Sequence, residues 1–146
     1  MKPTEIRAEL LGQHAQIRTL MQDIRDCAVR AQRGEPVGEE LQTSVARLAD
    51  AIAMHNAREE ELLRPILPTV DAWGQVRADT MTQTHQDEHE EFQEAVRGIP
   101  RTSRELAGAG VEALFDRMLE HMAREERVML AEDVLCEDTV IVEMGG

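Results

Sequence analysis

Apolar side chains recur at alternating steps of four and three along most of the chain. This spacing keeps one face of an α-helix apolar and is typical of a helix buried along one seam of a bundle. The seam predicted on the second helix, after Gly38, consists of Leu41, Val45, Leu48, Ile52, His55, Glu59, Leu62 and Ile66. The seam predicted on the first helix consists of Leu10, His14, Ile17, Met21, Ile24 and Ala28.

Glycine and proline divide the chain into four such stretches. We predict helices over residues 4–32, 39–64, 74–97 and 103–132. The Ala-Gly-Ala-Gly string at 107–110 weakens the start of the last helix by about 1 kcal/mol per glycine. Four helices with short connections predict an all-α fold, an antiparallel up-down four-helix bundle. We place this domain at 1–132 and a short C-terminal tail at 133–146, where Thr139–Val142 forms either a short strand or a docked arm.

The composition supports helices and narrows the function. Only 2% of the residues are aromatic and none is tyrosine, whereas strands favour aromatic and β-branched residues. The formal net charge of −13 repels phosphate backbones and anionic lipids, so neither nucleic acid nor a membrane is an expected partner. No apolar run reaches the roughly 20 residues that span a bilayer. We expect the acidic stretch Asp87–Glu91 to be mostly a solvated helix face.

The two cysteines indicate the redox state of the cellular compartment. Cys27 and Cys136 lie far apart in the sequence and lack a metal-type spacing, so we expect free thiols in a reducing cytoplasm. The first residues contain no apolar stretch that resembles a signal peptide. The expectation is therefore a cytoplasmic protein, as a monomer or a small homo-oligomer.

All five histidines of the chain lie on the predicted seams. The seam of the third helix consists of His85, His89, Phe92, Val96 and Ile99, and that of the fourth consists of Ala107, Val111, Leu114, Met118, His121, Glu125 and Val128. His14 is on the first helix, His55 on the second, His85 and His89 on the third, and His121 on the fourth. A single histidine at such a position is most simply a core residue with a hydrogen-bond partner. Five histidines on the buried faces of one bundle indicate a common functional site.

Two glutamates share these seams. Glu59 follows His55 by four residues and Glu125 follows His121 by four, so each pair projects from one face of its helix. Two buried carboxylates without a counter-charge would cost on the order of several kcal/mol. A metal ion supplies the missing positive charge, so the pattern predicts a metal centre inside the bundle.

The first helical hairpin offers a geometric check. His14 precedes Gly34 by 20 residues, and His55 follows Gly38 by 17. At a rise of about 1.5 Å per residue, the two side chains reach nearly the same height in an antiparallel hairpin. We therefore expect His14 and His55 to meet.

The order of these residues resembles the hemerythrin-like, or HHE cation-binding, domain family, and its bacterial type in particular. The resemblance covers about residues 10–130 and rests on one histidine, then His-x-x-x-Glu, His-x-x-x-His and His-x-x-x-Glu on successive helices. It implies a non-haem di-iron centre that can bind dioxygen. The ligands implied by position are His14, His55, Glu59, His85, His89, His121 and Glu125.

One position departs from the family's dedicated oxygen carriers, which place an aspartate five residues after the last histidine. Here that position is Glu126, next to Glu125. The similar strings that follow His55 and His121 favour Glu125 as the ligand, with Glu126 as a solvated partner of nearby arginines. The departure favours the bacterial type over a specialised carrier.

Other bundle metalloproteins and other metals are the alternatives. Ferritin-like di-iron proteins use Glu-x-x-His and a carboxylate-rich set of ligands, whereas this chain has the reverse order and is rich in histidine. Nitrogen ligands also accept zinc, copper and nickel. The preference for two Fe ions rests on the resemblance and on a ligand count for two metals, and zinc is the second choice.

A count of donors predicts where a small ligand binds. If both glutamates and one oxo or hydroxo group bridge two octahedral irons, the five histidines divide three and two. His85 and His89 share a helix face and join His121 on a closed iron, a division that the family pattern also implies. The iron held by His14 and His55 keeps one open position.

The predicted function is reversible binding of dioxygen or a related small ligand, for storage, delivery or sensing. The pocket is expected among Leu10, Ile17 and Ile52, with Met118 and Met122 beside it. An apolar wall there would exclude water and slow autoxidation. A redox enzyme acting on peroxide or nitric oxide, and a protein for iron handling or iron–sulfur cluster repair, need the same ligands and stay open as alternatives. Whether the chain is an enzyme is undecided, and we favour binding over turnover.

Overall fold

The computed structural model describes residues 1–66, 81–107 and 110–136. Within these ranges the chain is all-helical, as predicted. No helix of this part combines the length and the apolar character that crossing a membrane requires. The elements are α1 (Pro3–Gln32), α2 (Gly38–Leu63), a π-helical turn (Met81–His85), α3 (Gln86–Arg97), α4 (Ser103–Ala107) and α5 (Val111–Val128).

The turn between α1 and α2 forms where Gly34 predicts it. Gly34 has a φ of +79°, a left-handed conformation that glycine adopts without strain. The backbone N–H groups of Gly34 and Glu35 donate to the carbonyl oxygens of Ala31 and Arg30. These bonds satisfy the last carbonyls of α1 and reverse the chain into α2.

Side-chain pairs show that neighbouring helices run antiparallel. Arg58, near the end of α2, donates through Nε to Glu9, near the start of α1. Arg25, in the second half of α1, donates to Asp116, in the first turns of α5. The helical bundle predicted from the seams is therefore confirmed in its architecture.

The prediction of one continuous fourth helix over 103–132 is wrong. The chain forms the short helix α4 and begins a new helix at Val111, directly after Gly110. Gly110 has a φ of +62°, a left-handed conformation that interrupts a right-handed helix. The new helix ends at Val128, four residues earlier than predicted.

Two further predictions fall partly or wholly outside the described residues. Residues 74–80 of the predicted third helix lie there, and so does Thr139–Val142 of the predicted tail. The described part of the third helix begins with the π-helical turn and ends at Arg97, the residue predicted to end it.

Buried apolar side chains form two clusters along the bundle. The main cluster includes Ile17 on α1 and Ile52 on α2. The end cluster includes Leu10, near the start of α1, and Leu63, at the end of α2. His14 is fully buried between Leu10 and Ile17 along α1, so the bundle carries polar side chains between its two apolar clusters.

The residues that follow α5 pack against the bundle. Val134 and Leu135 are buried and belong to the end cluster. Arg7 of α1 donates through Nε to the backbone carbonyl oxygen of Leu130 at 2.7 Å, which ties this segment to the first helix. The boundary predicted at residue 132 stays a prediction.

Candidate metal centre

The structure brings all seven predicted ligand side chains together between the main cluster and the end cluster. Helix α1 supplies one of them, α2 two, the π-helical turn one, α3 one and α5 two. His14 is 0% exposed, and His89, at 13%, has the most exposed side chain of the set. The seven are His14, His55, Glu59, His85, His89, His121 and Glu125.

The first group contains two histidines. The Nε2 atoms of His14 and His55 lie 3.1 Å apart, so the height match predicted for the hairpin is confirmed. Nε2 of His55 lies 2.9 Å from Oε2 of Glu59, and Nε2 of His14 lies 3.8 Å from Oε2 of Glu125. These four residues, which we call the two-histidine group, could hold one metal ion.

The second group contains three histidines. Nε2 of His121 lies 2.5 Å from Oε1 of Glu125 and 3.2 Å from Nε2 of His89. Nε2 of His85 lies 3.4 Å from Oε2 of Glu125. These four residues, which we call the three-histidine group, could hold a second ion.

Both glutamates reach from one group to the other. Glu125 belongs to both groups. Glu59 places Oε2 next to His55 and places Oε1 3.0 Å from Nε2 of His85. Each carboxylate therefore spans the space between the two groups, as a carboxylate that bridges two metal ions must.

The unpaired atoms of the site fit metal binding. Within the described residues, Oε2 of Glu59, Oε2 of Glu125 and Nδ1 of His14 are buried without a hydrogen-bond partner. Oε2 of Glu59 is close to Nε2 of His55 but is not in hydrogen-bond geometry with it. Buried carboxylate oxygens need compensation, and a cation between the groups would provide it.

The electrostatics of the cluster also favour a cation. Burial lowers the pKa of His85, but the neighbouring carboxylates of Glu125 and Glu59 outweigh it and raise the pKa to about 10. Burial likewise raises the pKa of Glu125, but its interactions with Glu59 and with the neighbouring histidines outweigh burial and hold that pKa well below the usual value. Burial lowers the pKa of His14, which favours the neutral imidazole. Without a metal, the proton held on His85 supplies positive charge to the carboxylates, and a bound metal would displace it, because neutral imidazoles and anionic carboxylates are the forms that bind metal ions.

Two of the histidines are oriented by residues outside the set of seven. Nδ1 of His55 donates to Oε1 of Gln13 at 2.8 Å, and Nδ1 of His121 donates to Oε2 of Glu88 at 2.6 Å. An imidazole that donates through Nδ1 keeps a lone pair on Nε2, which here faces the centre of the cluster. These hydrogen bonds fix the ring orientation that metal binding needs.

Sequence reasoning missed these outer partners. Glu88 lies in the acidic stretch expected to be a solvated face, yet its side chain is only 29% exposed and also lies 3.7 Å from Arg124. The sequence signal that could have identified Glu88 as part of the site is its position directly before His89. Glu126 pairs with Arg18 at 2.5 Å, as expected for a partner of a nearby arginine, and its Oε2 lies 3.7 Å from Nδ1 of His14.

A small apolar cavity of about 30 Å³ lies beside both groups. It has room for a molecule about as large as water or a diatomic gas. Leu10 does not line this cavity and belongs instead to the end cluster, so its place in the predicted pocket is wrong. The apolar residues of the lining are Ile17, Ile52, Phe92, Met118 and Met122.

A comparison with protein families agrees with this geometry. The family model of the hemerythrin HHE cation-binding domain matches residues 5–132. The chain belongs to this hemerythrin family. This hemerythrin domain is therefore a metal-binding helical protein, with the clustered histidines and glutamates as its candidate site. Comparisons with curated proteins and with solved structures found no match.

Proposed function

We propose that this hemerythrin domain is a non-haem di-iron protein that reversibly binds dioxygen or a related small ligand. The observation that carries the proposal is a pair of ligand groups that share Glu125 and border one small apolar cavity. Storage, delivery and sensing all need such binding, and each is compatible with the site.

In this proposal the seven side chains hold two unequal irons. His85, His89 and His121 would hold one iron, and His14 and His55 would hold the other with one histidine fewer. Two ferrous ions held there would supply the electrons and the open coordination position that a diatomic ligand requires. The burial of Glu125 supports it, rather than Glu126, as the shared ligand, because Glu126 is 22% exposed and paired with Arg18.

The surrounding residues exclude water and hold the imidazoles in place. Ile17 and Ile52 give the cavity an apolar wall on the α1–α2 side. An apolar wall limits the water and protons that reach a bound ligand, which slows its irreversible loss. Gln13 and Glu88 hold the rings of His55 and His121 in the orientation that binding needs.

The cavity lining favours binding over turnover. Among the described residues that line it, the ionisable ones are all proposed metal ligands: His55, His89, His121 and Glu125. An enzyme that cleaves peroxide or reduces nitric oxide needs a positioned proton donor near the reacting atoms. Reversible binding has no such requirement.

Anaerobic reconstitution with ferrous iron, followed by exposure to oxygen and its removal, tests the proposal. We expect a visible spectrum that forms with oxygen and is lost when oxygen is removed, over repeated cycles. Protein loaded with zinc is the control and should show no change with oxygen. Oxidation to a stable form within one cycle, with faster turnover on added peroxide, would support the redox enzyme instead.

A further inference from the structure

A second cavity forms a groove between α2 and α3. It measures about 320 Å³ and reaches the proposed ligands Glu59, His85 and His89. Asn56 and His89 are the described residues that line both this groove and the small apolar cavity. These two side chains therefore separate the groove from the cavity.

The amide nitrogen of Asn56 has no hydrogen-bond partner among the described residues. This Nδ2 atom is buried. Leaving a buried amide unpaired destabilises the fold, so such a group in a native protein calls for a reason. Asn56 directly follows His55 on α2, and both residues line the small apolar cavity.

The outer part of the groove is acidic, and a hydrogen bond across it joins α2 to α3. Oε1 of Glu60 on α2 accepts a hydrogen bond from Nε2 of Gln86 on α3 at 2.9 Å, and Glu60 also pairs with Arg64. Glu90 adds a second carboxylate to the lining. A groove with more carboxylates than cations admits neutral molecules more readily than anions.

We propose that this groove is the entrance for the small ligand and that the amide of Asn56 donates a hydrogen bond to a ligand in the cavity. The inference rests on the proposed function, because it requires that a ligand bind there. Asn56 would supply the one polar contact in a lining whose other described members are apolar side chains and proposed metal ligands.

The hydrogen bond is tested with Asn56→Leu, which keeps the size of the side chain and removes the donor. Azide is titrated into the iron-loaded protein, and metal content is measured on the same samples. We expect two irons to remain and the dissociation constant for azide to rise about tenfold. Gln93→Leu is the control, because Gln93 lines the groove but not the cavity, and it should leave the constant unchanged.

An Asn56→Leu protein that holds two irons and binds azide within twofold of the wild type would overturn the hydrogen bond. If that variant loses iron, Asn56→Ser and Asn56→Ala decide, because the two are close in size and only serine keeps a donor. Tighter azide binding by the serine variant supports the hydrogen bond, and equal binding overturns it.

The entrance is tested with Ala53→Trp, because Ala53 lines the groove and not the cavity. We expect nitric oxide, a neutral diatomic probe, to associate at least several-fold more slowly while two irons remain. Gln16→Trp places the same bulk in the groove between α1 and α2 and should leave the rate unchanged. Equal association rates in the Ala53→Trp and Gln16→Trp variants would overturn the proposal that the groove is the entrance. A wild-type protein that holds two irons and binds no small ligand would refute the proposed function itself.

Discussion

The two-histidine group and the three-histidine group share a carboxylate and differ in their surroundings. His14 and His55 are 0% and 4% exposed. In the three-histidine group, His89 is 13% exposed and lines the groove between α2 and α3. The group with fewer histidines is therefore the better shielded one. In the proposed centre, the metal held by His14 and His55 would lie on the enclosed side, and a ligand that enters through the groove would pass His89 first.

The largest expected effect comes from the carboxylate that both groups share. Glu125→Gln should abolish the binding of both metals, because Glu125 contributes to both groups. Glu126→Gln is the matched control and should retain both metals with a nearly unchanged spectrum. Metal analysis after anaerobic iron loading measures the difference. If the Glu125 variant kept two metals and the Glu126 variant lost metal, Glu126 rather than Glu125 would be the shared ligand.

Removal of one histidine from each group should have the next largest effect. Each of His55→Ala and His121→Ala should lower the iron content from two per chain to one or none. Each should also lower the melting temperature of the loaded protein, because metal binding to the folded state stabilises it. Met54→Ala is the control, since the side chain beside His55 is 74% exposed. Full metal content in either histidine variant would remove that residue from the proposed ligand set.

The seams predicted much of this site because burial along a helix follows a fixed period. His14, His55, Glu59 and Glu125 needed only that period to be placed inside the bundle. The same period drifts along a long helix, because α-helices have about 3.6 residues per turn. The structure accordingly buries Cys27 and Leu63, where the pattern indicated Ala28 and Leu62.

Other features depend on conformations that residue spacing does not determine. The glycines before Val111 showed that the last helix was weak there, but the break depends on the left-handed backbone of Gly110. The hydrogen bonds of Gln13 and Glu88 depend on side-chain rotamers and on which helices face each other. Neither is visible in the spacing of residues along one helix.

Substitution of the outer partners should have a smaller effect than substitution of the ligands. Glu88→Gln removes the negative charge that supports His121 and should weaken metal binding to the three-histidine group about tenfold. Gln13→Leu should weaken the two-histidine group less, because the lost hydrogen bond is to a neutral amide. Competition with a chelator measures both affinities, and Glu94→Gln, on the exposed side of α3, is the control. Similar affinities in Glu88→Gln and Glu94→Gln would remove Glu88 from the site.

The smallest effect is expected at the cavity wall. Ile52→Ala opens the cavity beside both groups and should speed autoxidation a few-fold while both irons remain. Leu10→Ala is the matched control, because it truncates a buried side chain in the end cluster instead. Each substitution should cost about 2–5 kcal/mol of stability, so rates are compared per loaded protein. Equal autoxidation rates in the two variants would show that the cavity does not shield the ligand.

Anomalous diffraction at the iron edge, from crystals of protein loaded with iron under anaerobic conditions, tests the two-metal centre most directly. We predict two iron peaks per chain, one among His85, His89 and His121 and the other beside His14 and His55. Glu125 should contact both. A single peak, or a pair of peaks that do not share Glu125, would contradict this prediction.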